Sequence, residues 1–436
     1  MLKVAYLANR FPVTVEPYVG EEIEELRRRG VDVIAGSARQ SDESPVRTGD
    51  ESSSSEILYL QPVRVLILLR AFLLILRRWE RIADLITLVL MRGKESPKRR
   101  LKALLHTWLG ACYTVQLRAR GVDHIHVHHG YFGSWIAMVA ARLLAVDFSL
   151  TLHGSDLLRD AAYLSTKLEN CRFCVTISEY NRHYILRHFP GVDRGKIVVS
   201  RLGVEVPARV ECLQSQMSRG TRRTLTLLAV GRLHAVKNHS FLVRACANLR
   251  DRGLDFECLI AGEGPERQLL ERLIQKNRLR DRFTLLGHVS RTHMGFLYQR
   301  ADVVVLTSRS EGLPLVLMEA MVRGRLVLAP AITGIPEIVI PGKTGFLYEP
   351  AAIDDFVGRI LFLRDLIRAE DRCAMSRLAW IRHAARVQVL HNFNRQQNLD
   401  QFCNRFLDLI AHRSFATEDR STPDENLVLQ QIQLPI

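Results

Sequence analysis

Short apolar runs alternate with longer amphipathic stretches along the whole of this 436-residue chain, and that alternation constrains the fold most. Brief, continuous runs rich in branched residues read as strands buried on both faces, the pattern of parallel sheets covered by helices. In the first half these runs are Lys3–Ala8, Val31–Ala35, His124–His128, Ser149–Leu152, Cys174–Ile177 and Ile197–Ser200. In the second half they are Leu225–Val230, Glu257–Ala261, Phe283–Leu286, Val303–Leu306, Leu326–Ala329 and a short piece at Gly345–Tyr348. A chain of this length exceeds one hydrophobic core and is expected to divide. Residues 207–223 are polar, basic and aperiodic, as a linker would be. The expected fold class is therefore α/β, with two Rossmann-like, doubly wound parallel-sheet domains, 1–206 and 224–384. Their ligand cleft lies between the carboxyl ends of the strands. Residues 385–410 read as a helix, and Ser41–Ser55 and residues 411–436 as a mobile loop and a disordered tail.

Hydrophobic residues make up 47% and charged residues 25%, as in a soluble globular protein. The net charge of +15 favours anionic partners without choosing among them. Basic residues are spread over both halves with no aromatic-interleaved patch, which argues against nucleic acid as a partner. The opening M-L-K-V-A-Y-L-A-N reads as a first strand rather than a signal peptide, and no apolar run approaches the ~20 residues of a spanning helix. Most of the eight cysteines sit in apolar stretches, which suggests reduced thiols and a cytoplasmic protein. Cys171 and Cys174 form a single C-x-x-C, with no second pair to complete a zinc site. Residues 61–102 carry 11 Lys or Arg against 3 acidic residues, threaded through V-L-I-L-L and F-L-L-I-L with Trp79 beside them. That composition suits a helix lying on an anionic membrane surface.

The chemistry concentrates in Ser308–Gly324, S-R-S-E-G-L-P-L-V-L-M-E-A-M-V-R-G. A buried strand runs into a loop and then a helix, with Pro314 in its first turn and Ser310 or Gly312 as its cap. The N–H groups around Gly312 and Leu313 would face an anion with the helix dipole behind them. Glu311 stands at the mouth of this site, and Glu319 about two turns into the helix. Carboxylates repel phosphate but accept hydrogen bonds from sugar hydroxyls, so the pattern describes a nucleotide-sugar pocket. Thr224–Asn238, T-L-T-L-L-A-V-G-R-L-H-A-V-K-N, ends a strand at Gly231 and presents Arg232 and Lys237, two cations able to clamp a diphosphate. In I-A-G-E-G-P, Gly262 and Gly264 allow close backbone approach to a ligand. In S-L-T-L-H-G-S-D, His153 sits at a strand's carboxyl end, where its imidazole can meet a sugar hydroxyl, and Asp156 caps the next helix or orients local backbone. His124, His126 and His128 alternate onto one strand face, an arrangement that also fits a metal.

These segments resemble the E-x7-E, G-R-x-x-x-x-K and H-G-x-D motifs of the family-4 retaining glycosyltransferases, which have the GT-B fold. The form R-L-G at Arg201–Gly203 and the Pro- and Glu-containing loop Phe11–Gly20 place the chain nearest the bacterial exopolysaccharide and colanic-acid branch; the loop lacks the Gly-Gly pair of many members. The resemblance implies transfer of a sugar from a nucleotide-diphosphate sugar to a glycan or lipid-linked acceptor, with retention. His153, Arg232, Lys237 and Glu311 would be catalytic. Gly231, Gly262, Gly264, His288, Val289, Gly312, Leu313 and Glu319 would bind the donor, with L-G-H-V at Leu286–Val289 meeting the base. It further implies no metal and no cofactor: no Asp-x-Asp occurs in the chain, and Arg232 and Lys237 stand where a divalent ion would otherwise act. The helix 385–410 would cross back onto the first domain, and the enzyme would sit peripherally on the inner face of the cell membrane. The alternatives are another GT-B enzyme, such as a sugar-nucleotide epimerase, or a non-catalytic membrane-associated binding protein.

Overall fold

A computed structural model of the chain describes residues 1–13, 16–40, 57–92, 95–158, 162–207 and 224–411. The expected loop at 41–55 lies outside the described residues, as do the linker beyond Pro207 and the tail beyond Ala411.

Two sheets, every strand parallel to its neighbours, form the framework. The first contains β1 (Lys3–Arg10), β2 (Asp32–Arg39), β3 (Leu58–Tyr59), β4 (His124–His128), β5 (Asp147–Leu152), β6 (Cys174–Thr176) and β7 (Ile197–Val199), in the order β3-β2-β1-β4-β5-β6-β7. The second contains β8 (Leu225–Val230), β9 (Phe256–Ala261), β10 (Phe283–Gly287), β11 (Val303–Val305), β12 (Leu326–Pro330) and β13 (Phe346–Tyr348), in the order β10-β9-β8-β11-β12-β13. Strand order reverses between β1 and β4 in one sheet and between β8 and β11 in the other. At such a switch point the connections leave in opposite directions and open a crevice at the carboxyl ends.

Both faces of each sheet are covered, which is why the strands are apolar throughout rather than alternating. One face of the first sheet packs against the helices Pro97–Arg118 and Phe132–Leu144 through Cys112, Tyr113, Trp135 and Val139. Its other face packs against Pro17–Arg28 and Arg395–Ala411 through Val19, Ile23, Phe402 and Phe406. In the second sheet, His239–Asp251 and Ile353–Arg368 cover one face, and Leu315–Val322 and Arg372–Asn392 the other.

The carboxy-terminal segment departs from the sequence expectation of one helix over 385–410. Two helices, Arg372–Asn392 and Arg395–Ala411, meet at Phe393–Asn394, where Asn394 bridges Val204 and Phe393 O accepts from Val204 N at 2.9 Å. The first helix stays with the second sheet through Ile381, Ala385 and Val389, and only the second crosses to the first sheet. Gly203 lies in this junction because nothing larger fits: a β-carbon there would come 2.6 Å from Arg395 N and Phe393 O.

Candidate active site

In the second domain the loop after β8 and the loop after β11 are neighbours at the switch point, and hydrogen bonds join them. Arg309 N donates to Val236 O at 2.8 Å and Thr307 Oγ1 donates to Lys237 O at 3.0 Å. Across this seam Lys237 Nζ donates to Glu311 Oε1 at 2.6 Å. The pair is largely withdrawn from water, with side chains 20% and 12% exposed, so it orients both groups more firmly than a surface ion pair would. Lys237 keeps two N–H donors and Glu311 a second oxygen for a ligand. Thr333 Oγ1 donates to Glu311 O at 2.6 Å, and Arg232 is exposed on the loop after β8.

The helix after this loop differs in detail from its sequence reading. It runs Leu315–Val322 with Pro314 as its N-cap residue, so the proline precedes the first turn, and no side chain caps it. Glu319 is therefore little more than one turn in. Its Oε2 accepts from Tyr298 OH at 2.7 Å, and the Arg323 guanidinium lies 5.2 Å from the Tyr298 ring centre.

Gly262 and Gly264 lie against the loop after β8. The close approach they permit is to the neighbouring loop: a β-carbon at Gly262 would lie 2.0 Å from Gly231 O, and one at Gly264 2.4 Å from Leu233 O. Both have positive φ, 152° and 159°. They seat the G-R loop against the loop after β9. Gly262 N in turn donates to Gly287 O at 2.8 Å, which brings Gly287, exposed His288 and Val289 to the same rim.

The first domain supplies the facing wall. His153, just beyond β5, lies against the Glu311–Gly312 loop of the second domain: a β-carbon at Gly312 would fall 2.2 Å from His153 O. Asp156 orients the backbone here, accepting from His153 N at 3.0 Å, Gly154 N at 2.8 Å and Gly130 N at 2.8 Å. His129 stands between two carboxylates, its Nε2 3.1 Å from Glu16 Oε1 and its Nδ1 3.6 Å from Asp156 Oδ2. Burial opposes a charge on His129, but those carboxylates outweigh it and raise its pKa to about 10. Burial also opposes ionisation of Asp156, yet His129 and the backbone donors bring it down to about 2. Burial, together with the charge of His129, holds His153 well below the usual histidine range, which favours its uncharged form.

The histidines of β4 do share one face, as their alternation requires. His124 Nε2 and His126 Nδ1 both meet Ser149 Oγ, at 2.7 and 2.8 Å, and His126 Nε2 meets Thr151 Oγ1 at 3.0 Å. Ligand atoms of Glu22, His126 and His128 lie within 4.8 Å of one another. Both nitrogens of His126 are engaged by hydroxyls. Cys171 and Cys174 are buried free thiols, the first pushed up to about 12 by burial.

A cavity of about 380 Å³ opens between the domains, with Tyr18, Glu22, Arg291, Tyr298, Glu319 and Arg323 in its lining. The sequence pattern assigns no role to Tyr18, Glu22 or Glu337. Glu337 accepts from Glu179 N at 3.1 Å and Tyr180 N at 2.8 Å, so a second-domain carboxylate caps a first-domain helix across the cleft.

Two family descriptions match the halves of the chain: Glycosyltransferase Family 4 over residues 15–206 and Glycosyl transferases group 1 over residues 218–375. The chain belongs to the GT-B glycosyltransferases. It is 34% identical over 148 residues to alpha-D-kanosaminyltransferase of Streptomyces kanamyceticus, covering 34% of this chain and 38% of that one. It is 27% identical over 238 residues to the amylovoran biosynthesis glycosyltransferase AmsK of Erwinia amylovora, covering 52% and 57%. The matched stretches thus span about half or less of those relatives. The fold is shared with Anabaena Alr3699/HepE, solved in complex with UDP and glucose (TM-score 0.65, 17% identity, 94% of this chain and 100% of that one).

Proposed function

We propose that this GT-B protein transfers a sugar, with retention, from a nucleotide-diphosphate sugar to a glycan or lipid-linked acceptor in the building of bacterial surface or exopolysaccharide. The carrying observation is the Lys237–Glu311 pair at the switch point, within one loop of Arg232 and one helical turn of Glu319. Lys237 and Arg232 bind the diphosphate and stabilise the charge that grows on it as the glycosidic bond breaks, the role a divalent ion would otherwise fill. Glu311 accepts from donor-sugar hydroxyls through its second oxygen, Glu319 accepts from the ribose, and neutral His153 faces the sugar. Gly231, Gly312 and Leu313 bring backbone groups to the diphosphate, and the rim of Gly287, His288 and Val289 meets the base. The departing phosphate assists the acceptor hydroxyl on the same face, which accounts for retention without a protein nucleophile. The AmsK and HepE similarities support this reading of donor and product class.

The exposed helix Val65–Arg77 supports a cytoplasmic membrane surface as the site of work. Its outer face carries Leu66, Leu69, Phe72, Leu73 and Leu76, each between 46% and 59% exposed, bordered by Arg64, Arg70 and Arg77. Among the described residues no helix is long and apolar enough to cross a membrane.

Calorimetric titration with UDP, GDP and ADP tests the pocket, with turnover assayed on Lys237→Ala. One diphosphate binding to the wild type, and a loss of turnover on the order of 10²–10³-fold in a folded variant, is the expected result. Near-normal turnover in Lys237→Ala removes its assigned role.

A further inference from the structure

Three side chains from three elements lie in a line behind the sugar-facing wall. Glu22, on the helix Pro17–Arg28, is buried and takes the Tyr6 hydroxyl. The same Oε2 lies 3.1 Å from His128 Nε2, and His128 Nδ1 lies 3.0 Å from His153 Nε2. His153 Nδ1 is shut off from solvent and has no hydrogen-bond partner among the described residues. The Tyr18 ring stacks on His153 at 4.7 Å and 29°, and the His128 and His153 rings are stacked at 5.3 Å and 22°. Packing thus fixes the plane of the His153 ring, and hydrogen bonds fix its rotation.

We propose that Glu22 and His128 are positioning residues which fix the tautomer of His153, so that His153 offers its Nδ1 lone pair, and not an N–H, to the transferred sugar. A count of hydrogens along the line sets that tautomer. A carboxylate only accepts, so the nitrogen facing Glu22, His128 Nε2, carries the hydrogen. In the proposed arrangement His128 is uncharged, so it has only a lone pair at Nδ1, and the hydrogen between the two rings comes from His153 Nε2. A neutral His153 bearing that hydrogen has a bare Nδ1. The partner such an atom selects is a hydroxyl that donates; a carboxylate or phosphate oxygen in the same place would face lone pair against lone pair. His129, charged and with its ring 4.6 Å from His153, favours this uncharged arrangement, since a second imidazolium beside it would be repelled. The specificity that follows is for a neutral, hydroxyl-bearing sugar over one with an acidic group at this position. The inference rests on the reading of the cleft as a sugar-transfer site.

The test combines spectroscopy without substrate and kinetics with it. In long-range 1H–15N spectra of the full chain carrying 15N-histidine, with His153 assigned from the His153→Phe spectrum, the wild type should show His153 protonated at Nε2. In Glu22→Gln the amide can offer its own N–H to His128 Nε2, which reverses the direction of every hydrogen bond behind it and moves the His153 hydrogen to Nδ1. Affinity for the nucleoside diphosphate and the melting temperature should hold, while kcat falls by about tenfold to a hundredfold, the cost of a misdirected contact at the reacting centre. His128→Phe keeps a ring in place but cuts the line, and serves where Glu22→Gln does not fold; it should lower kcat in the same way. An Nδ1–H signal for His153 in the wild type overturns the proposal, as does an unchanged tautomer and kcat in both variants. A wild type that transfers no sugar from any donor refutes the transferase reading instead, and the tautomer measurement still decides the relay.

Discussion

At the scale of single residues, the charged trio Glu16–His129–Asp156 ties Glu16, just before the helix Pro17–Arg28, to the backbone around His153 and sets a pH window. The folded His129 pKa of about 10 lies above the ~6.5 of an unfolded histidine. Its contribution to stability is therefore complete below about pH 6.5 and is lost as pH rises toward 10. Asp156, lowered to about 2 from the usual ~3.9, contributes above about pH 4 and loses that contribution as pH falls toward 2. Urea melts of the wild type should show stability declining between pH 6.5 and 10, and His129→Gln should flatten that decline. Asp156→Asn should cost about 3–5 kcal/mol at pH 7, because it leaves His129 charged and half paired. A melt profile identical in wild type and His129→Gln across this window would remove the assigned charge. The placement of Lys237, Glu311 and His153 in the loops after strands was readable from sequence. Their partners were not. Glu22 and His128 are 106 positions apart, and alternation gives the face of a strand without naming the helix laid over it.

At the scale of elements, what was legible followed the burial. Central strands announce themselves as apolar runs because both faces are covered, whereas β3 is two half-buried residues at the sheet edge and leaves no such trace. The break at Phe393–Asn394 went unread for a related reason: Phe393 is buried like its helical neighbours, so the apolar rhythm continues through the point where the backbone turns. The helix Val65–Arg77 shows the reverse case, where periodicity alone left core and surface open. Ala71 and Leu74 are its buried residues, and a wider apolar face is left outward. Replacing Leu69 and Leu73 by Gln touches only side chains that are 59% and 51% exposed, so the melting temperature should stay constant. Binding to vesicles containing anionic phospholipid should weaken by roughly tenfold or more, because two leucine side chains would no longer enter the lipid. Salt should weaken what remains, because that part is carried by arginines. Sedimentation with vesicles checks this, and equal binding by wild type and variant would assign the face another role.

At the scale of the molecule, the two domains touch beside the cavity between them. Gly154 and Gly312 touch backbone to backbone, and Gly334 packs behind, where a β-carbon would come 2.4 Å from Gly312 O. Glu337 caps the helix Glu179–His188 from the opposite side, and Arg395 reaches Glu21 at 3.0 Å and Glu205 at 3.3 Å beside the crossover. Sequence motifs locate each wall but carry no information on their separation, which depends on these few contacts. Gly312→Ala isolates that separation. Its methyl group would need the space of His153 O, so the walls must part by about an ångström or more, while Arg232 and Lys237 keep their place on the second domain. Misplacement on that scale costs about 10²-fold in a reaction that depends on near contact. The variant should therefore bind the nucleoside diphosphate within a few-fold of the wild type, by calorimetry, yet lose about 10²-fold in kcat for sugar transfer. If affinity and turnover fell together, Gly312 would be shaping the phosphate loop; if neither fell, the contact between the walls would not be part of the working geometry.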